Sequence, residues 1–144
     1  MKKFALAALA VAFGATAAFA GPVEDRQAIM KGLAAPMKDA VALSRGTTPY
    51  TQAAAKAAMD TAAAQMDKFA TLFPKGTEAG TAVKNQAAPT IWSDAAGFKA
   101  AAVKFSADAK AAGASADMAA FAAALKTVQA DCGACHKTYR AAAN

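Results

Sequence analysis

The chain has little of what most small binding sites are built from: one histidine, one tryptophan and two cysteines in 144 residues. With no third cysteine and no second histidine, a tetrahedral zinc site would lack a strong fourth ligand. β-Branched residues are sparse and scattered, so the strand–helix–strand pattern that accompanies a thioredoxin-like dithiol is missing. Beyond the first twenty residues no stretch is long and apolar enough to cross a bilayer, which takes about 20 predominantly apolar residues. Nor is there a basic cluster interleaved with aromatics, so nucleic acid is not expected as a partner. The formal charge is nevertheless +6, and it falls by two if Lys2 and Lys3 are removed. Such a modest balance is that of a solvated surface that could also steer an acidic partner.

Residues 1–20 read as a cleaved secretory signal. Lys2 and Lys3 form the charged start, Phe4 to Phe13 is uncharged and apolar, and Ala18-Phe19-Ala20 places small residues where a signal peptidase reads them. Cleavage after Ala20 leaves residues 21–144, the length of one domain. Alanine, the strongest helix former, dominates that stretch and predicts an all-α chain. Gly46-Thr47-Thr48-Pro49, Phe73-Pro74-Lys75-Gly76, Pro89 and Gly113-Ala114-Ser115 divide it into four helices, near 23–44, 51–72, 90–111 and 117–141. Pro36 falls inside the first and should kink it. Steps of three and four run through Ile91, Ala95, Phe98, Ala102, Phe105 and Ala109. They run also through Met118, Phe121, Leu125, Val128, Cys132, Cys135 and Tyr139. Weaker stripes pass through Met59, Met66, Phe69 and Phe73, and through Met30, Ala34, Met37 and Val41. Short links after the first and third helices favour antiparallel neighbours, whereas the link from Pro74 to Pro89 is long and must cross the surface.

The most specific feature is Cys132-Gly-Ala-Cys135-His136. Cys-x-x-Cys-His is the attachment signature of a c-type haem. Two cysteines three apart share a helix face, so both sulfurs can add to the vinyl groups of one haem while the adjoining imidazole ligates the iron. A plain disulfide is the remaining bland reading of the pair. Both cysteines fall on the apolar stripe of the last helix, and His136 lies only about 40° around it from Cys132. A haem held there would enter the bundle interior. It would also supply volume that alanine methyls cannot, since burial is worth only about 25 cal/mol per Å². Export suits this chemistry, because bacterial c-type haem is attached outside the cytoplasm.

Three stretches together resemble the class II cytochromes c, the family of cytochrome c-prime and its low-spin relatives. They are Cys132-x-x-Cys135-His136-x-x-Tyr139-Arg140, Arg26-Gln27-Ala28-Ile29-Met30-Lys31, and Pro89-Thr90-Ile91-Trp92 with Phe98 following. The resemblance covers residues 21–144 and implies an antiparallel up-down-up-down four-helix bundle enclosing one covalent haem c. It implies thioether attachment at Cys132 and Cys135, proximal ligation by His136, Arg140 near the proximal side and Arg26 near the propionates. Trp92 and Phe98 are expected in the core, where core and cofactor contacts overlap. Met30 matches the distal position. It is either the sixth iron ligand of a low-spin electron carrier or packing in a five-coordinate cytochrome c-prime that binds nitric oxide or carbon monoxide. Since His136 is the only histidine, Met30 is the best remaining sixth ligand, and the stretch Ile91–Ala100 resembles the low-spin branch. The reading is therefore a periplasmic electron carrier with His136/Met30 iron. It is not an enzyme, because no second histidine or polar acid–base pair is available for distal catalysis. Its expected partners are small redox proteins or membrane-bound electron-transfer complexes. A homodimer through the first two helices is expected as well, with Met37, Met59 and Met66 as adaptable apolar surface.

Overall fold

The computed structural model describes residues 21–78 and 86–141, so the secretory signal and part of the Pro74–Pro89 link lie outside the described residues. Six helices account for the four expected segments: α1 (Pro22–Gly32), α2 (Ala34–Ser44), α3 (Gln52–Phe69), α4 (Thr90–Ser93), α5 (Ala95–Gly113) and α6 (Met118–Tyr139). The first and third segments are each split in two. Pro36 explains the first split. It has no N–H to donate to Gly32 O, so the chain restarts at Leu33 and places Pro36 in the first turn of α2, where amide donors are spare anyway. Asp94 explains the second. Its backbone leaves the helix (φ −124°, ψ 54°) and its carboxylate accepts the Gly97 amide at 3.1 Å, which caps α5. Thr51 and Asp117 cap α3 and α6 in the same way. Pro22 at the start of α1, with Glu24 and Asp25 in its first turn and Lys31 in its last, suits both the missing donors and the helix dipole. None of the described helices is long and apolar enough to cross a membrane.

The bundle is antiparallel. Along α3 and α5, Gly113 meets Lys56, Ser106 reaches Ala63 O, and Phe98 meets Phe69. Along α5 and α6, Lys104 pairs with Asp131, and Phe98 stacks edge-on against Tyr139. Close approach of α3 and α5 depends on small residues, because a Cβ at Gly113 would stand 3.1 Å from both Lys56 Cα and Met59 Cβ. Ala55, Ala62, Ala63, Ala109 and Ala112 are fully buried around that seam. Beside it Phe121, Met59, Leu125 and Val128 are the largest fully buried side chains.

The expected stripes hold on α3, on α5 from Phe98 onward and on most of α6, with Phe73 just beyond the end of α3, Ile91 on α4 and Ala95 exposed. Met118, at the start of the α6 stripe, is 42% exposed instead. On the first segment the buried positions are Val23, Arg26, Leu33, Pro36, Ala40 and Leu43, while Met30, Met37 and Val41 form a half-buried flank and Ala34 is exposed. The spacing is the same and the face is one position over. Alanine gives neighbouring faces so little contrast that pattern cannot choose between them. Of the three methionines expected at a dimer surface, Met59 is 0% and Met66 7% exposed, because α3 turns that face to the other helices, while Met37 is half-buried. Replacing Phe121 by alanine should therefore cost about 3–5 kcal/mol. Urea unfolding checks this, and a loss below about 1 kcal/mol would mean that the Tyr50–Phe121 contact is loosely packed.

A walled cavity between the first and last helices

At the end of the bundle away from Gly113, the helices part. α1 leans on α2 and α3 and hardly touches α6. The space between holds a cavity of about 590 Å³, walled by Ile91, Phe69, Phe98, Phe105 and Met66. All six site residues expected from sequence line it: Met30 and Arg26 from α1; Cys132, Cys135 and His136 from α6; and Arg140 just past the end of α6. Phe98 serves both core and cavity, as expected, whereas Trp92 packs beside the core without lining the cavity.

The α6 residues are graded in burial. Cys132 and Cys135 are half-buried, Cys132 against the core, and both thiols are free. Burial pushes both thiols above their ordinary range, and the Asp131 carboxylate adds to the effect on Cys132. His136 is exposed at the cavity edge rather than tucked beneath the apolar stripe. Partial desolvation, then the neighbouring Arg140 charge, lower its pKa. Both effects favour the neutral imidazole, the form whose nitrogen lone pair can ligate a metal. Among the described residues no group of three or more His, Cys, Asp or Glu side chains could hold a bare metal ion.

Arg26 is more deeply committed than the sequence suggested. It is 5% exposed. Its Nε donates to Leu72 O at 2.8 Å, its Nη1 to Thr77 O at 3.0 Å, and its Nη2 to Thr77 Oγ1. The guanidinium also stacks over Phe73, 4.1 Å from the ring centroid, with Trp92 at 5.5 Å. Burial draws its pKa down while Glu78 acts in the opposite sense. Arg26 therefore clasps the chain that follows α3 onto α1 while one side of it faces the cavity. Arg140 is held in a comparable way. Its Nε donates to Gln86 Oε1 at 3.0 Å, and a short antiparallel bridge joins it to Ala87.

Two residues to which the sequence assigned no part in the site, Tyr139 and Asp131, belong to this wall. Tyr139 donates its hydroxyl to Asp94 Oδ2 at 2.7 Å, tying the end of α6 to the α4–α5 break. A Cβ on Gly97 would stand 2.6 Å from that hydroxyl, so the tie needs glycine there. Asp131 lines the cavity beside Cys132 and is held from α5 by Lys104 at 2.6 Å. Its only sequence signal was adjacency to the motif.

The lining suits a haem: aromatic and aliphatic walls for a flat macrocycle, two thiols and an imidazole on one helix, and cationic Arg26, Lys31 and Arg140 for carboxylate side groups. Replacing Arg26 by leucine should keep the stacking volume and strip the three donors, costing about 1–3 kcal/mol. Amide exchange over residues 72–78 should quicken; unchanged protection would mean that the loop is held by other contacts.

A family model described as Cytochrome C' matches residues 21–140. A cytochrome c-556 of Agrobacterium tumefaciens (strain II Chrys) is 45% identical over 123 residues, covering 84% of this chain and 98% of that protein. A cytochrome c' of Pararhodospirillum photometricum is 39% identical over 121 residues, covering 82% and 94%. The solved structure of cytochrome c' from Rhodopseudomonas palustris superposes with a TM-score of 0.76 at 29% identity, covering 87% of this chain and 99% of that one.

Proposed function

This chain belongs to the cytochrome c' family, and on that premise we propose that it is a periplasmic electron carrier holding one haem c, linked covalently through Cys132 and Cys135, with His136 and Met30 as axial ligands. The single observation that carries the reading is the convergence of Cys132, Cys135, His136 and Met30 on one apolar cavity from two helices that otherwise scarcely meet. The haem supplies an iron that gains and loses one electron. Everything else falls to the chain. The two thiols on one face of α6 fix the group to the helix, and the neutral imidazole beside them offers its nitrogen. Met30, on α1, offers a soft thioether from the other side, a ligand that raises the reduction potential. Phe69, Phe98 and Phe105 keep the faces dry. The exposed Lys31 and Arg140 on the lining give the opening a positive rim, which suits an acidic redox protein or a membrane-bound electron-transfer complex.

Two experiments test this. Denaturing mass spectrometry of protein matured in an exporting host should show the chain from Gly21 plus one haem; the mass of the bare chain would end the reading. Changing Met30 to alanine should turn a low-spin ferric spectrum high-spin, let carbon monoxide bind the ferrous form and lower the potential. If the unaltered protein is already high-spin and binds carbon monoxide, Met30 is packing and the protein is a five-coordinate gas binder.

A further inference from the structure

Asp131 lies on the cavity wall with its side chain only 12% exposed. Lys104 Nζ donates to Oδ1, while Oδ2 is buried and has no hydrogen-bond partner among the described residues. Lys104 is also shared: it pairs with Asp108 at 2.6 Å as well. One cation thus serves two carboxylates that also interact with each other, so the three side chains carry one formal negative charge in excess. They are unequally screened. Lys104 is 59% and Asp108 32% exposed, so water damps both. Asp131 faces the low-dielectric interior, where a charge acts over a longer range. The α5–α6 contact needs only Oδ1. A second, buried oxygen without a donor costs stability and adds nothing to the Lys104 pair.

Resting on the haem reading of the cavity, we propose that Asp131 tunes the reduction potential of the bound haem, as a fixed negative charge that Lys104 only half compensates. A negative charge beside the iron favours the ferric state, which carries one more positive charge, and so lowers the potential. It opposes the upward pull of a thioether ligand. Asp131 touches neither iron nor attachment atoms in this scheme and acts through its field alone. Lys104 sets how much of that field is felt.

Redox titration of the haem-loaded protein at neutral pH is the test, with the visible spectrum followed in parallel. Asp131→Asn keeps the shape and one acceptor oxygen but removes the charge. The midpoint should rise, favouring reduction about tenfold, or about 59 mV for one electron. Lys104→Met should move it down, and Asp108→Asn should raise it less than Asp131→Asn because Asp108 is nearer water. Spectra should be unchanged in all three. An unmoved potential, or Asp131→Asn and Lys104→Met shifting it in the same direction, overturns the proposal and leaves the cluster as a helix–helix tie. If Asp131→Asn fails to mature, Lys104→Met and Lys104→Gln read the same charge from its partner, and no downward shift in either rejects it. A high-spin parent spectrum would overturn Met30 ligation without touching this proposal, because the field acts on either iron.

Discussion

Side-chain size sets the geometry of this bundle, because alanine lets helices close up but cannot hold them apart and filled. Where alanines and Gly113 line the α3–α5 seam, the backbones approach until a single added methyl would press against Lys56 and Met59 at 3.1 Å. Toward the other end the side chains on α3 and α5 enlarge to Met66, Phe69, Phe98 and Phe105. They wedge the bundle open and wall the space that results. The cavity is thus part of the packing solution. A large apolar group seated there would bury wall surface that the chain's own side chains leave uncovered, at roughly 25 cal/mol per Å².

The open end has to be held by something other than close packing, and polar ties take that role. Arg26 clamps the chain beyond α3 through Leu72 and Thr77. Tyr139 reaches Asp94 at the α4–α5 break. Arg140 and Tyr139 stitch the end of α6 to Gln86 and Ala88. Each tie joins a cavity-lining residue to a segment that is not part of the close-packed seam. Such bonds are individually worth about 1 kcal/mol, and more when a buried donor or acceptor would be left unmet. The wall can therefore be rigid where the core is thin. Lys104 and Asp131 belong to this set on the α5–α6 side, with the difference that the pairing leaves one buried oxygen unmatched.

The breaks in the first and third segments serve the same end. Pro36 ends the hydrogen-bond ladder of α1 early and begins α2 afresh, so the segment bearing Arg26 and Met30 is a short helix of its own. Asp94 does likewise between α4 and α5, where its two oxygens cap one helix and anchor another. Both breaks fall in the half of the molecule that surrounds the cavity.

The helical class, the four segments and the shared face of Cys132 and Cys135 were legible in the sequence, because these rest on local chemistry. Alanine propensity, Gly and Pro punctuation, and the three-residue spacing of Cys132 and Cys135 act within a turn or two of the chain. His136 came forward with the cysteine motif, and Arg26, Met30 and Arg140 came forward as candidates only through the resemblance to the class II cytochromes c. The fold, by contrast, set which face of the first segment is buried. Met30, Ala34, Met37 and Val41 differ too little in hydropathy from Leu33, Pro36, Ala40 and Leu43 for periodicity to rank them. It alone decided that Met59 and Met66 are core, that His136 sits at an exposed edge, and that Arg26 is engaged by residues 46 and 51 positions away. Asp131 was illegible for the same reason. A carboxylate on an alanine-rich helix looks like solvated surface until the fold brings Lys104 to one of its oxygens and closes water away from the other.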